Sequence, residues 1–282
     1  MLARGTTVVN RARVATDEPE ATLDALSSQL LTWGNDGHRF EAIGIASFGP
    51  VGLDRRRSDY GFVTTTPKPG WQSVDVRGHF DDRFAVPIGF DNDVNGAALA
   101  EVRWGAAQGC SVAIYLTIGT GIGGGVVVNG RPIHGLVHPE HGHVRVRRRT
   151  GDDFPGVCPY HGDCIEGLAS GPAIAARAGD RAPTLPAEHP VWIDVARELG
   201  DLMASLVLAV SPQRIVIGGG VGYGQRWLLP HIHEATLTGL AGYVAAIDGS
   251  AIESLIVAAG LGEDAGPLGS VAIGLDALER RG

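Results

Sequence analysis

Two cysteines and a histidine lie in the seven-residue segment CPYHGDC, in a chain of 282 residues that has three cysteines altogether. Cys158, His161 and Cys164 follow the spacing C-x-x-H-x-x-C, and His143 lies 15 residues before Cys158. Two thiols and two imidazoles within reach of one another form a donor set that tetrahedral zinc prefers. A redox-active thiol pair and a chance cluster are the alternatives, whereas three cysteines do not make a disulfide framework. We therefore predict a structural zinc site, because four protein ligands leave no position for an activated water.

Two glutamates stand beside these ligands. Glu140 precedes His143 by three residues, and Glu166 follows Cys164 by two. A metal bound by this loop would bring both carboxylates to one cavity, where carboxylates and imidazole can hydrogen-bond to sugar hydroxyls. The alternative is that both side chains are solvated, as most single glutamates are. The metal prediction favours the shared cavity.

Glycine-rich segments occur at two places where a phosphate could approach the backbone. Gly119, Gly121 and Gly124 of TIGTGIGG satisfy G-x-G-x-x-G, but strand-like VVVNG follows instead of the helix that dinucleotide binding needs. We predict a turn between two strands whose amides face a phosphate, with an ordinary hairpin as the alternative. The segment IVIGGG at 215–220 predicts a strand, a glycine loop and a helix. That geometry lets a ligand approach the backbone, although tight packing alone would also explain it.

A third segment, FDNDVNG, predicts a strand that runs into a helix, with Asp91 and Asp93 near the helix start. A carboxylate at this position caps the helix or acts as a catalytic group, and capping is the commoner use. Phosphoryl transfer would give all these segments a joint purpose. Backbone amides would hold the phosphates, and one carboxylate would accept the proton of the acceptor hydroxyl.

The segments that must position these residues alternate between strand and helix patterns. TDEPEATLDALSSQLLTWG predicts a helix with Asp17 as its cap, and strand-like EAIGIASFG follows it. WIDVARELGDLMASLVLAVSP and GEDAGPLGSVAIGLDALERR predict two further helices. The alternation argues for α/β layers, and a change of pattern near residues 105–111 predicts a boundary between two domains.

The charge balance excludes one class of partner. The chain has 23 Lys and Arg against 31 Asp and Glu, a formal net charge of −8. Its longest basic run, RVRRR at 145–149, is too short and isolated for a nucleic-acid surface. No apolar stretch reaches the ~18 residues that cross a bilayer, and the first residues lack the pattern of a signal peptide. We therefore expect a cytoplasmic protein that binds neither nucleic acid nor a membrane.

A series of motifs runs along the chain: GIASFGPV, TPKPGW, DNDVNGAALAE, TIGTGIGGG, HPEHGH, CPYHGDCIEGLASGPAI, IVIGGGV and GLGEDAGPLGS. In these motifs and their order, the sequence resembles the ROK family of sugar kinases, and within it the zinc-containing bacterial fructokinases. The resemblance extends from about residue 42 almost to the C-terminus. It implies an α/β fold of the two-domain, actin-like/ribonuclease-H-like ATPase type. The small domain would comprise residues 1–107 and the C-terminal helix 267–282, and residues 108–266 would form the larger domain with the zinc loop and the nucleotide-binding regions.

The resemblance also implies an activity and roles for individual residues. The activity is ATP-dependent phosphorylation of a hexose, with D-fructose the expected sugar, ATP as its magnesium complex, a structural zinc ion and a homodimeric assembly. Asp93 would be the general base, and Asp91 a bystander. Residues implied to bind the sugar are Asn92, Glu140, His143, Glu166 and Lys68. Residues implied to bind the nucleotide are Gly119, Thr120, Gly121, Pro172, Gly218, Gly219 and Gly220. The implied zinc ligands are His143, Cys158, His161 and Cys164.

One departure from the family pattern concerns the N-terminus. Family members open with a strand and a glycine-rich hairpin of the type D-x-G-G-T-K, and nothing in this sequence matches it. We expect this first phosphate loop and the first strands of the small domain to lie upstream of the present start. The alternative is a shortened protein that binds sugar without efficient catalysis, with weaker ATP binding and unpaired strand edges.

Other members of the family leave two further functions open. A kinase for glucose or mannose would use the same motifs. A sugar-responsive repressor would need an N-terminal helix-turn-helix, and none is found before residue 40.

Overall fold

The computed structural model describes residues 1–280 of the chain, in which strands and helices alternate. The strands are β1 (Leu2–Arg4), β2 (Thr7–Asn10), β3 (Ile43–Ser47), β4 (Phe62–Val63), β5 (Val74–Asp75), β6 (Ile88–Asn92), β7 (Val112–Ile118), β8 (Ile122–Val128), β9 (Arg131–Pro132), β10 (Arg214–Gly218) and β11 (Ile256–Ala258). The α-helices are α1 (Pro19–Asn35), α2 (Val76–Asp81), α3 (Asp93–Trp104), α4 (Ile165–Ala169), α5 (Gly171–Ala178), α6 (Val191–Val210), α7 (Gly219–Gly224), α8 (Leu229–Leu240), α9 (Ala251–Leu255) and α10 (Ala265–Glu279). Short 3₁₀ turns lie at His141–His143, Ala182–Thr184, Arg226–Leu228 and Gly262–Asp264.

The larger sheet has the strand order β11-β10-β7-β8-β9. β10 runs parallel to β7 and β11, whereas β8 is antiparallel to β7 and β9. Side chains of β7 alternate between the two faces: Ile114 and Leu116 join the apolar cluster that contains α6, whereas Ala113 and Tyr115 join the cluster that contains α3 and α10. Helices therefore cover both faces of the sheet, as expected for α/β layers.

A smaller sheet pairs β3 with β6 in parallel, and α10 lies directly against it. The approach is close because two glycines face the helix. A Cβ on Gly44 would lie 1.8 Å from the Ser270 carbonyl oxygen, and one on Gly89 would lie 2.3 Å from that of Ile273. The carboxyl end of β6 runs without a loop into α3, so this sheet delivers Asp93 to the start of a helix.

The first helix begins one residue later than its sequence pattern predicts. Glu18 occupies the N-cap position of α1, without a capping hydrogen bond from its side chain, so the prediction that Asp17 caps the helix is wrong. The Asp17 amide donates to Thr22 Oγ1 at 3.0 Å, and its carbonyl accepts from the indole of Trp71 at 2.9 Å. This contact with Trp71, 54 residues away, fixes the chain where it enters the helix.

The last helix ends close to the limit of the described range. α10 ends at Glu279, and residues 281–282 of the helix predicted over 267–282 lie outside the described residues. Among residues 1–280, none of the helices combines the length and the apolar character needed to cross a membrane.

Candidate active site

The four predicted zinc ligands come together at one point. All donor atoms lie within 4.8 Å of one another in the set His143, Cys158, His161 and Cys164. Cys158 Sγ is 3.8 Å from His143 Nδ1 and 3.7 Å from His161 Nδ1, and Cys164 Sγ is 3.6 Å from His143 Nδ1. Bonds of about 2.3 Å to sulfur and about 2.0 Å to nitrogen place these donors about 3.6 Å apart around a tetrahedral zinc ion. The donor set therefore fits zinc in both identity and spacing.

The environment of Cys164 argues against the redox alternative. Both cysteines of the cluster are free and buried. Burial is the main reason why the pKa of the Cys164 thiol is raised to about 11, whereas a reactive thiol needs a lowered pKa. A bound cation would reverse this preference because it stabilises the thiolate.

Backbone hydrogen bonds shape the cysteine loop and join it to the segment that carries His143. Within the loop, Cys158 and Gly162 exchange two of them, at 3.2 and 2.9 Å, which close the turn. The amide of Ile165 donates to the carbonyl of Val144 at 2.9 Å. α4 starts at Ile165, so this bond also sets where the first turn of the helix presents Glu166.

Glu166 links the metal loop to the glycine turn between β7 and β8. Its Oε2 accepts a hydrogen bond of 3.1 Å from the amide of Ile122. A Cβ on Gly121 would lie 2.7 Å from the same oxygen, so a glycine is needed to leave this carboxylate in place. One side chain thus contacts two of the segments that the sequence singled out.

Glu140 is electrostatically coupled to two other carboxylates. Burial raises its pKa to about 7, and the negative charges of Glu166 and Asp93 contribute to the shift. Charges have such an effect only at short range. Glu140, Glu166 and Asp93, which come from three different segments of the chain, therefore lie within electrostatic reach of one another.

Asp93 is the first residue of α3, and the capping position belongs to Asn92, whose side chain accepts a 2.8 Å hydrogen bond from the amide of Asn95. Asp93 itself is exposed to the cleft, and its carboxylate accepts from the amide of Val94 at 2.9 Å. The walls of the cleft remove part of its hydration, and this desolvation raises the pKa of Asp93. A raised pKa makes the carboxylate a better proton acceptor.

Asp91, two residues earlier, faces the protein interior. Its Oδ2 lies 2.9 Å from His134 Nε2, and its Oδ1 accepts from the side chain of Asn95 at 2.7 Å and from the amide of Asn92 at 2.8 Å. Both carboxylate oxygens are thus used in holding β6, α3 and the loop after β9 together.

The two glycine segments meet at the carboxyl ends of β7 and β10. Gly219 has φ +83°, and a Cβ there would lie 2.5 Å from the carbonyl oxygen of Ile118. A Cβ on Gly119 would lie 3.6 Å from the amide nitrogen of Gly220. β8 begins at Ile122, so the predicted turn between two strands is confirmed. α7 begins at Gly219, directly after β10, so the predicted helix is confirmed but the glycine loop before it is not. Ligands of α/β proteins bind at such strand ends.

The start of α5 lies against the same glycine turn. The amide of Gly171 donates to the carbonyl of Gly119 at 2.7 Å, and Ser170 caps the helix. Pro172 follows in the first turn of α5, and Thr120 is exposed at the tip of the turn. The residues predicted to bind nucleotide therefore gather in one region, next to Glu166.

Lys68 packs against an aromatic ring. Its Nζ is 4.8 Å from the ring centroid of Phe48, which in turn packs edge-on against Trp71 at 5.1 Å. Within residues 1–280, no ion pair joins Lys68 to Glu140.

Two buried side chains next to the site have no role in the sequence-based predictions. His138 accepts from the amide of Val51 at 3.2 Å. Glu101, at the far end of α3, accepts from the amides of Gly260 at 3.2 Å and Leu261 at 3.0 Å. The sequence signal for His138 is its place within HPEHGH, and for Glu101 it is an acid that follows the apolar run AALA in α3, but neither signal points to the distant partner.

The whole architecture matches a known family. The ROK family pattern matches residues 2–277. The chain belongs to the ROK family. A ROK relative, the fructokinase of Zymomonas mobilis subsp. mobilis, is 42% identical over 275 residues, which cover 94% of this chain and 88% of the relative.

Two solved ROK structures resemble the chain along most of its length. The ROK hexokinase from Thermus thermophilus has a TM-score of 0.72 and 30% identity, over 94% of this chain and 89% of its own. A ROK family glucokinase from Streptomyces griseus, solved with glucose and AMPPNP, has a TM-score of 0.68 and 27% identity, over 92% of this chain and 89% of its own. The chain therefore has the actin-like ATPase fold of the ROK sugar kinases.

Proposed function

We propose that this chain is an ATP-dependent hexose kinase that converts D-fructose and ATP to D-fructose 6-phosphate and ADP. The observation that carries the proposal is the hydrogen bond from the amide of Ile122 to Glu166, which joins the segment after the cysteine loop to the glycine turn. The charges of Glu166 and Asp93 also contribute to the raised pKa of Glu140, which supports a shared site for the three carboxylates. Fructose is favoured over other hexoses because the fructokinase from Zymomonas mobilis subsp. mobilis shares 42% identity with the chain, against 27% for the Streptomyces griseus glucokinase.

Asp93 is the general base in this proposal. The sugar hydroxyl oxygen attacks the γ-phosphorus of ATP, the bond from phosphorus to the β,γ-bridging oxygen breaks, and the hydroxyl proton moves to the Asp93 carboxylate. Desolvation raises the pKa of Asp93, which favours acceptance of that proton. The magnesium ion that accompanies ATP neutralises charge on the phosphates.

The remaining predicted residues bind the two substrates. Asn92, Glu140, His143, Glu166 and Lys68 would contact the sugar. Backbone amides of the glycine segments would face the phosphates, in the set Gly119, Thr120, Gly121, Gly218, Gly219 and Gly220, with Pro172 beside the nucleotide. The cleft thus holds the sugar between the carboxylates and the phosphates.

A structural zinc ion completes the proposed site. The four donors His143, Cys158, His161 and Cys164 would hold it, and it would stabilise the thiolates and the loop. His143 directs Nδ1 at both thiols, which leaves Nε2 for a sugar hydroxyl. Zinc binding would therefore fix the ring orientation in which His143 meets the sugar.

The proposal includes the division into a small domain of residues 1–107 with the C-terminal helix and a larger domain of residues 108–266. Its support is that α10 packs on β3 and α3, while α6 packs on the larger sheet. It also includes a homodimer, which sedimentation equilibrium would test. A cytoplasmic location suits the supply of ATP and of reduced thiols for the metal.

A coupled assay of ADP release with fructose, glucose and mannose tests this function. We expect the highest kcat/KM with fructose. Asp93→Asn should lower kcat by about 100-fold or more, because general bases contribute this much, while fructose affinity measured by calorimetry stays near the wild-type value. Unchanged turnover of this variant would remove Asp93 from the mechanism. A preference for glucose would correct the sugar, whereas sugar binding without turnover would replace the kinase with a sugar-binding protein.

A further inference from the structure

The imidazole of His138 bridges two parts of the molecule that are far apart in sequence. Its Nε2 lies 3.2 Å from the amide nitrogen of Val51, 87 residues away. Its Nδ1 lies 3.3 Å from Oε1 of Glu140. The residue is only 4% exposed, so water does not readily replace either partner.

The hydrogen bond from Val51 determines which nitrogen of the ring carries the proton. A backbone N–H can only donate, so Nε2 must be the acceptor, and the proton of the neutral ring must reside on Nδ1. Burial lowers the pKa of His138, which keeps the ring neutral. The structure therefore presents a buried Nδ1–H donor to the carboxylate of Glu140.

This donor has no hydrogen-bond partner among residues 1–280, although the Glu140 oxygen is within reach. Buried donors are almost always paired, and each exception needs an explanation. Glu140 is 39% exposed and can turn toward the ring when the cleft is filled. Its carboxylate has two oxygens, so it can accept from His138 and from a sugar hydroxyl together.

The other side of the ring contacts the loop of residues 49–51. Val51 pairs with Val63 in a β-bridge, and the carbonyl of Pro50 accepts from the amide of Thr64 at 2.8 Å. A Cβ on Gly49 would lie 3.3 Å from the imidazole, so this loop packs tightly on the ring. Movement of the loop would therefore move His138.

We propose that His138 is a positioning residue for the sugar: its Nδ1–H donates to the Glu140 carboxylate when the sugar is bound, while its Nε2 anchors the ring to the Val51 loop. The inference rests on the proposed function, because it makes Glu140 a sugar ligand. It couples sugar binding at Glu140 to the position of residues 49–51. His138 does not contact the sugar and acts only through Glu140.

Two amide substitutions separate the two halves of the bridge. His138→Gln places an amide oxygen near the Nε2 position and keeps an acceptor for Val51, but it removes the donor at Nδ1. His138→Asn places an amide near the Nδ1 position and keeps a donor for Glu140, but it loses the anchor. We expect His138→Gln to raise the KM and the calorimetric Kd for fructose by about tenfold, with the KM for ATP unchanged. His138→Asn should keep the fructose KM within about threefold of wild type and lower the thermal unfolding temperature.

A purely structural role of His138 would give the opposite pattern. His138→Gln would then have the wild-type KM for fructose, and His138→Asn would change the KM values for fructose and ATP equally. That result would overturn the inference. A double-mutant cycle tests whether His138 acts through Glu140. In the Glu140→Gln background, adding His138→Gln should change the fructose affinity by less than about twofold. If the losses of fructose affinity in the two single variants add up in the double variant, action through Glu140 is contradicted.

The wild-type protein offers a measurement that does not depend on folding of a variant. With ¹⁵N-labelled histidine, the Nδ1 resonance of His138 should shift when fructose is added without ATP, and a resonance that stays fixed at saturating fructose would overturn the inference. If the wild type neither binds nor phosphorylates fructose, the proposed function itself fails. If the wild type phosphorylates fructose but the His138 variants behave like it, only the role of His138 fails.

Discussion

Replacing Gly121 by alanine should weaken fructose binding through a single steric contact. The added Cβ would lie 2.7 Å from Oε2 of Glu166, and Glu166 is held there by the amide of Ile122 at 3.1 Å. Gly121 does not have a positive φ, so alanine does not strain the backbone. The carboxylate must therefore shift, which displaces it from Ile122 and from the position in which it would meet a sugar hydroxyl. A hydrogen bond from a hydroxyl to a charged group contributes about 1.5–3 kcal/mol, so loss of that one sugar contact would raise the Kd for fructose by roughly 10- to 150-fold.

Calorimetric titration with fructose in the absence of ATP measures this effect directly, and the coupled assay adds the fructose KM. Gly266→Ala is the matched control, because its new Cβ would meet no atom within 4 Å. The control should bind fructose as the wild type does. Wild-type fructose affinity in Gly121→Ala would refute the argument that the present position of Glu166 matters for the sugar.

Two further predictions concern the metal and the pH dependence. Cys158→Ser should lower the zinc content of purified protein from about one ion per chain and reduce the thermal unfolding temperature. Cys110→Ser, outside the cluster, should change neither quantity. Elemental analysis that finds no zinc in freshly prepared wild type would defeat the zinc assignment. Desolvation raises the pKa of Asp93 above the ordinary 3.8 of aspartate. Because the base must be ionised, kcat should fall as the pH decreases through that raised pKa. A kcat that stays level down to pH 4, or an equal fall of kcat at low pH in Asp93→Asn, would contradict this assignment.

Local spacing was enough to predict the parts of the site whose members are close in the chain. Cys158, His161 and Cys164 lie in one short loop, so few conformations keep their donors apart, and the structure brings them together with His143. The strand-like VVVNG after TIGTGIGG likewise predicted the hairpin of β7 and β8, because valine-rich segments favour strands over helices. Residue type and near spacing carry this information without any tertiary contact.

Helix ends were less predictable, because tertiary contacts compete with local capping. The sequence offers Asp17 as a cap for α1, yet its carbonyl accepts from Trp71 and its amide donates to Thr22. The N-cap position falls on Glu18, whose side chain makes no capping hydrogen bond. A contact from 54 residues away therefore outweighs a preference of about 1 kcal/mol.

The sequence by itself determined the α/β class, the four donors that come together and the glycine turn between β7 and β8, because each depends on residue types and their spacing along the chain. The choice of Asp93 over Asp91 as candidate base came from the resemblance to the family. Only the tertiary structure decided which of these elements touch. The bond from Ile122 to Glu166 spans 44 residues, that from Val51 to His138 spans 87, and that from Leu261 to Glu101 spans 160. Such pairs form because the packing of helices on two sheets brings distant backbone amides to buried side chains, and a buried polar group must then find its partner there.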